Sequence, residues 1–223
     1  MEYGVLGPLV LRSAEGSTVV DGTRRRAVLS ALLARPGRTV GVQDLVEAAW
    51  PDDPPADVQH SLHSIVSRLR GLGVAVTAAD GGYRLHARTD DVDAGRFDAL
   101  LDRSTGAAPE DAVALLEEAL GLWRGPAFGG ASDLPGVRGE AQRLEERRRQ
   151  ALEQLAGHLL RAGRSEDAVG LATRLSAEEP ARETAWVVLV RALVAAGRPA
   201  DGVAACARAA AALDELGLVP STA

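Results

Sequence analysis

The 223-residue sequence contains no lysine: all 25 basic side chains are arginine, against 31 acids, for a net charge of −6. A chain this acidic as a whole does not suit indiscriminate coating of nucleic acid, because a negative surface repels phosphate. Aromatic residues make up only 3%. A single cysteine, Cys206, excludes an internal disulfide and fits a reducing compartment. No apolar run reaches the length of about 18 residues that a spanning helix needs. The start, Met1-Glu2-Tyr3-Gly4-Val5, lacks the basic and apolar regions of a signal peptide. The expected location is therefore cytoplasmic, with no membrane partner. Also missing are a phosphate loop, a nucleophile elbow, kinase or metalloprotease signatures, and any recognisable pair of catalytic carboxylates. No enzyme is expected, and no cofactor is implied.

What is present is unevenly distributed. Residues 1–89 hold 10 Arg against 9 acids, a balance of +1, whereas residues 90–223 hold 15 against 22, a balance of −7. Residues 2–20 alternate loosely around Gly4, Gly7, Pro8 and Gly16, which predicts two or three short antiparallel strands. Thr23 is placed to cap a helix whose stripe is Val28, Leu29, Leu32 and Leu33, stopped by Pro36-Gly37. A short second helix carries Leu45, Val46, Ala49 and Trp50 on one face, and a turn follows at 51–55. A third helix starts near Ala56 or Asp57. It buries Val58, Leu62, Ile65, Val66 and Leu69, with Asp57, His60, Ser64 and Ser67 opposite and His63, Arg68 and Arg70 on the flanks. Gly71 and Gly73 end it. Val74 and Val76, the turn Asp80-Gly81-Gly82, then Tyr83, Leu85 and Ala87 predict a β-hairpin. Strands, three helices and a terminal hairpin are the element order of a winged helix-turn-helix.

The acidic stretch 89–93 marks the expected boundary: residues 1–89 form an α+β winged-helix domain and residues 90–223 an all-α domain. Helices are expected at about 94–104, 109–123, 136–162, 165–178, 182–196 and 199–216, from their apolar periodicity. An internal repeat runs through them. At an offset of 34 residues, Leu155 matches Leu189, Leu159 matches Leu193, Ala162-Gly163-Arg164 matches Ala196-Gly197-Arg198, and Asp167 matches Asp201. That offset is the tetratricopeptide period, in which helix pairs bury their apolar faces by stacking. A degenerate third copy is expected around 97–130. After Leu216-Gly217-Leu218-Val219-Pro220 only Ser-Thr-Ala follow, so no capping helix is expected.

Short motifs add a resemblance. Val5-Leu6-Gly7-Pro8-Leu9, Arg26-Ala27-Val28-Leu29, Trp50-Pro51-Asp52-Asp53-Pro54-Pro55-Ala56, Val66-Ser67-Arg68-Leu69-Arg70 and Gly82-Tyr83-Arg84-Leu85 occur in the first half. Val92-Asp93-Ala94-Gly95-Arg96-Phe97, Ala119-Leu120-Gly121-Leu122-Trp123-Arg124-Gly125-Pro126-Ala127 and Glu215-Leu216-Gly217 follow in the second. In this order the sequence resembles the Streptomyces antibiotic regulatory protein family, which joins an OmpR-type winged helix to a bacterial transcriptional activator domain. The resemblance implies a DNA-binding activator of a secondary-metabolite gene cluster. It implies promoter DNA with direct repeats and RNA polymerase as partners, and allows a homodimer on DNA. The sequence departs from the family pattern at His60, His63 and Gly71, and at the hairpin, where a basic residue is missing and Asp80 has appeared.

The candidate site is the third helix, with His60, His63, Ser64 and Ser67 toward base edges or phosphates and Arg68 and Arg70 toward phosphates or guanine. Arg24-Arg25-Arg26 opens the first helix, where a positive cluster is unfavourable unless a partner offsets it. Arg84 on the hairpin is either a wing contact or a partner for an acid such as Asp80. His60 and His63 are one helical turn apart, but no further ligands accompany them, so no metal site is expected. Trp50, Trp123 and Trp186 fall on apolar stripes and are expected to pack. Arg147-Arg148-Arg149 is expected to form pairs along its helix with a solvated face. The alternative reading is a protein-interaction or ligand-sensing module that kept this fold and lost or weakened its DNA binding.

Overall fold

A computed structural model describes residues 1–218; the end of the chain, where no capping helix was expected, lies outside the described residues. The chain divides into two compact units: Met1–Ala99 with Gly121–Arg147, and Leu100–Leu120 with the residues from Arg148 on.

The first unit opens with β1 (Glu2–Gly4), β2 (Val10–Ser13) and β3 (Gly16–Val19), an antiparallel sheet in that order with Tyr3 opposite Leu11 and Leu11 opposite Thr18. Then come α1 (Thr23–Leu33), β4 (Thr39–Gly41), α2 (Val42–Ala49), α3 (Val58–Gly71), β5 (Val76–Ala79) and β6 (Gly82–Leu85). The second sheet has the order β4-β6-β5, with Val40 opposite Tyr83 and Val76 opposite Leu85. This is the winged helix expected from the element order, with one strand added. That strand, β4, has little sequence signal beyond the β-branched pair Thr39-Val40 after Pro36-Gly37.

Helix α1 is more deeply placed than a single stripe predicts. Every residue from Ala27 to Leu33 is buried, including Ser30, whose hydroxyl has no hydrogen-bond partner among the described residues. It packs against α2, α3, β4 and β6, and a short turn at Gly129–Ala131 also rests on it. A helix contacted on all sides buries all sides. Thr23 does not cap it. The cap position is Gly22, at φ 83°, with no side-chain hydrogen bond, and Thr23 is the first helical residue.

The loop between β1 and β2 is fixed by residues far along the chain. The Asp93 carboxylate, 1% exposed, accepts the amides of Val5 at 2.7 Å and Leu6 at 3.3 Å and pairs with Arg124 at 2.7 Å. Arg124 also donates to the Pro8 carbonyl at 2.9 Å, and the Phe128 amide donates to the Val5 carbonyl at 2.6 Å. Gly7 is required here, because it sits at φ 137° and a Cβ would press on the Arg124 Cβ and backbone, while Gly4 leaves room for the Arg124 guanidinium. Phe128 adopts φ 57°, a left-handed conformation rare for an aromatic residue, and is buried.

After Val92 the chain is helical: α4 (Asp93–Ser104), α5 (Pro109–Gly121), α6 (Arg138–Arg161), α7 (Ser165–Glu178), α8 (Glu183–Ala195) and α9 (Pro199–Glu215). The repeat seen in the sequence recurs in geometry. Gly163 and Gly197 turn at φ 74° and 75°, and the amides of Arg164 and Arg198 reach back to Leu159 and Leu193, both at 2.8 Å. Each arginine stands at the start of the next helix and pairs with an acid in its first turn, Arg164 with Asp167 at 2.7 Å and Arg198 with Asp201 at 2.8 Å. A left-handed glycine closed by such a back-bond ends a helix sharply and lets the next run antiparallel. Small residues, Ala168, Ala172, Ala185, Ala192 and Ala205, line the buried contacts.

Two side-chain expectations change. The arginine cluster on α6 reaches past its own helix, Arg147 to Asp98 at 3.1 Å and Arg149 to Glu179 at 2.7 Å. Of the tryptophans, Trp50 is buried and Trp123 sets its ring edge-on to Phe97 at 5.5 Å. Trp186 is only half-buried, donating to the Pro180 carbonyl.

Replacing Asp93 by Ala leaves two buried amides and a largely covered guanidinium without their acceptor. The expected loss is about 3 kcal/mol, near the low end for breaking a buried pair because Arg124 can turn toward water. Urea unfolding of the variant measures it, and a change below about 1 kcal/mol would mean that this pair does not fix the loop.

Candidate nucleic-acid interface

Helix α3 is capped by Asp57, whose carboxylate accepts the His60 amide at 2.9 Å. Asp57 is thus occupied in starting the helix, a role that its place on the polar face did not suggest. Leu62, Ile65, Val66 and Leu69 anchor the inner face. His60, His63, Ser67 and Arg68 are exposed and Ser64 is half-exposed, so the outer face carries small polar groups and imidazoles.

A cleft lies along each side of this face. On the first side, a cleft of about 540 Å³ runs between α3 and the start of α1, lined by Thr23, Arg24, Arg25, His60, Ser64 and Arg68, with Trp50 among its walls. The Arg24 guanidinium sits over the Trp50 ring, 5.4 Å from its centroid, and cation–π attraction holds its position. On the other side, a cleft of about 510 Å³ separates α3 from the β5–β6 hairpin, lined by Gln59, His60 and His63 facing Ala78, Ala79 and Tyr83. This face therefore has an arginine wall on one side and a nearly neutral hairpin on the other.

The ten expected residues separate in space. Arg24, Arg25, His60, Ser64 and Arg68 come together in the first cleft, and His63 faces the second. Ser67 is exposed further along the same helix face. Arg26 is exposed on α1, within 3.5 Å of the Thr23 hydroxyl. Two arginines lie elsewhere. Arg70 donates to the Val76 carbonyl at 2.7 Å, tying the end of α3 to β5. Arg84 donates to the Thr39 hydroxyl at 3.0 Å across the second sheet, and not to Asp80. Gln59 was not singled out from the sequence. Its signal is its place one turn before His63 on the hairpin side.

Charge pairing divides these arginines from others in the unit. Arg35 bridges to Asp44 at 3.0 Å and Arg96 to Glu2 at 3.0 Å. Among the described residues, Arg24, Arg25, Arg26 and Arg68 make no such pair. The first turn of α1 also contains no acid. Among the described residues no cluster of three or more His, Cys, Asp and Glu is placed to hold a metal, and no helix is long and apolar enough to cross a membrane.

The fold is a winged helix followed by a helical repeat domain, and the comparisons agree. Residues 92–223 match the bacterial transcriptional activator domain. The chain is 35% identical to the transcriptional regulatory protein EmbR of Mycobacterium tuberculosis over 234 residues, covering 99% of this chain and 60% of that protein. It is 32% identical to the transcriptional regulator RedD of Streptomyces coelicolor, covering 99% and 67%. The solved structure of M. tuberculosis EmbR in complex with a low-affinity phosphopeptide superimposes with a TM-score of 0.92 at 33% identity, covering 99% of this chain and 62% of that one. The chain thus spans about 60% of the length of the curated relatives it matches first. It belongs to the Streptomyces antibiotic regulatory protein family of winged-helix transcriptional regulators.

Gly82 sets the hairpin that forms the second cleft. A Cβ there would overlap the Val40 carbonyl, because β4 and β6 approach at Gly41 and Gly82. Gly82→Ala is expected to cost about 1–3 kcal/mol. Hydrogen exchange should show the loss concentrated in the β4, β5 and β6 amides; an unperturbed sheet would refute the close-approach argument.

Proposed function

We propose that the chain is a DNA-binding transcriptional activator of a secondary-metabolite gene cluster, acts in the cytoplasm and is not an enzyme. Helix α3 enters the major groove of promoter DNA, presenting His60, His63, Ser64 and Ser67 to base edges, and the β5–β6 hairpin lies beside it as the wing. Arg24, Arg25, Arg26 and Arg68 contact the phosphate backbone. Arg70 and Arg84 hold the hairpin and α3 in register, with their remaining donors toward the backbone. Residues 1–89 read DNA, and residues 90–223 position a second protomer on a direct repeat and engage RNA polymerase.

The observation that supports this reading most directly is the set of arginines without ion pairs around one cleft. Three of them stand at a helix N-terminus, where each positive charge costs about 0.3–1 kcal/mol against the helix dipole. An anion in that cleft removes the penalty, and a DNA backbone supplies anions along its whole length. A near-neutral first half, at +1, concentrates its free positive charge here even though the whole chain is acidic.

Fluorescence anisotropy on promoter DNA over a salt series tests the reading. Each lost phosphate contact lowers the slope of log K against log salt by about 0.9. Arg24→Ala, Arg25→Ala and Arg68→Ala combined should flatten the slope by about 2–3, while Arg35→Ala, which only breaks a surface pair, leaves it unchanged. An unchanged slope in the triple variant would show that this cleft does not meet DNA.

One observation favours the alternative of a module with weakened DNA binding: Asp80, exposed at the hairpin tip, would face phosphate. Asp80→Arg separates the two. Under the activator reading it tightens DNA binding by about three- to tenfold, the effect of exchanging a like charge for an opposite one near a screened backbone. If the wing never approaches DNA, affinity stays as it was.

A further inference from the structure

Helix α3 offers one side chain to both clefts beside it. His60 lines the arginine cleft and the hairpin cleft, and among the described residues it alone is shared by the two. Ser64 and Arg68 line only the first, Gln59 and His63 only the second. His60 therefore stands on the crest of the helix and the others on its slopes. Helical phase agrees: at about 100° per residue His60 lies roughly opposite the buried Leu62 and Leu69. Its backbone is fixed by the Asp57 cap, which accepts its amide at 2.9 Å. Its imidazole is exposed and makes no hydrogen bond or ion pair among the described residues.

A helix lying in the major groove turns its crest to the base edges on the groove floor and its slopes to the two backbones. The chemistry on this crest is that of donors. Helix α3 contains no Asp or Glu, and the carboxylate before it, Asp57, is occupied by the cap. Cytosine offers a donor and calls for an acceptor; adenine offers one acceptor beside one donor and suits an amide; thymine offers a methyl group. Guanine offers two acceptors side by side, N7 and O6. An imidazole carries at least one N–H in either protonation state, and its acceptor nitrogen is lost on protonation, which nearby phosphates favour. The amide of α3, Gln59, stands on the hairpin slope.

We propose that His60 determines the base specificity of this surface, selecting guanine by donating an imidazole N–H into its N7/O6 edge. This rests on the reading of α3 as a DNA-recognition helix and adds the base that it selects. The slopes supply affinity through phosphate contacts, and the crest supplies discrimination.

Selection from a duplex pool randomised over about 20 base pairs, two helical turns, provides the binding site. Wild-type protein should enrich a G·C pair at one fixed position that His60→Ala no longer distinguishes. Discrimination against A·T there should fall from about tenfold to about twofold or less, with the other positions unchanged. The variant keeps the backbone amide bonded to Asp57, so its circular dichroism spectrum should match the wild type. Replacing that guanine by 7-deazaguanine keeps base pairing and removes N7. It should weaken wild-type binding by about fivefold and leave His60→Ala binding as it was. If 7-deazaguanine weakens neither protein, or both equally, the proposal is overturned. It is also overturned if His60→Ala keeps every base preference and instead lowers the salt slope by about 1, which would put His60 on a phosphate. A pool from which folded wild-type protein enriches nothing overturns the DNA-binding reading itself, and this inference with it.

Discussion

The first unit depends on one buried carboxylate. Asp93 is removed from water and repaid by charge-assisted hydrogen bonds from Arg124 and from the Val5 and Leu6 amides. Burying an ion pair is not by itself a strong source of stability, since desolvation offsets much of the attraction. What the arrangement supplies is position. It pins the loop after β1 to the beginning of α4 and to the segment leading to Phe128. The turn that follows, at Gly129–Ala131, rests on α1. The helix that presents the arginine cluster is thereby braced by residues about a hundred positions away. Deleting the segment after the hairpin would uncover the loop and one side of α1.

This explains why sequence motifs that are individually weak occur together. Val5-Leu6-Gly7-Pro8-Leu9, Val92-Asp93-Ala94 and Trp123-Arg124-Gly125 look like separate fragments along the chain, yet they are one packed cluster. Gly4 and Gly7 admit the Arg124 side chain, and Phe97 meets Trp123 edge-on beside it. Linear reading could order these motifs but could not show that Asp93 and Arg124 are partners, because nothing in local periodicity encodes a contact 31 residues apart.

The elements themselves were largely legible. Helix boundaries after residue 92 follow apolar periodicity and Gly-Arg turns, and both signals are local. The misses have physical causes. Strand β4 has only two residues with strong β preference and exists because β6 offers it an edge. Thr23 looked like a cap because capping propensity is a local average, but the backbone enters α1 through Gly22 in a left-handed conformation that no side chain is needed to stabilise. In the candidate site, His60, Ser64 and Arg68 follow from helical phase alone. Arg70 and Arg84 were placed with them because charge and position on an element do not reveal which acceptor, Val76 or Thr39, lies in reach. Trp50, expected only in the core, also forms part of the cleft wall under Arg24, a tertiary fact with no sequence signal.

Two parts of the molecule retain features that folding alone does not favour, and they are of opposite kinds. At the start of α1, like charges gather at the positive end of a helix and make no ion pairs among the described residues, although the chain as a whole has more acids than arginines. On α9, Val203 stands in water where its counterpart one period earlier, Val169, is enclosed. Across much of the rest local and global preferences agree: Gly turns where the chain reverses, alanine where helices touch, acids where arginines need partners. A sequence selected only for stability would place an acid near Arg24 and a polar residue at Val203, since either change is available at an exposed position without disturbing the core. The conflict at α1 is electrostatic and is relieved by an anion; the conflict at α9 is hydrophobic and is relieved by an apolar surface.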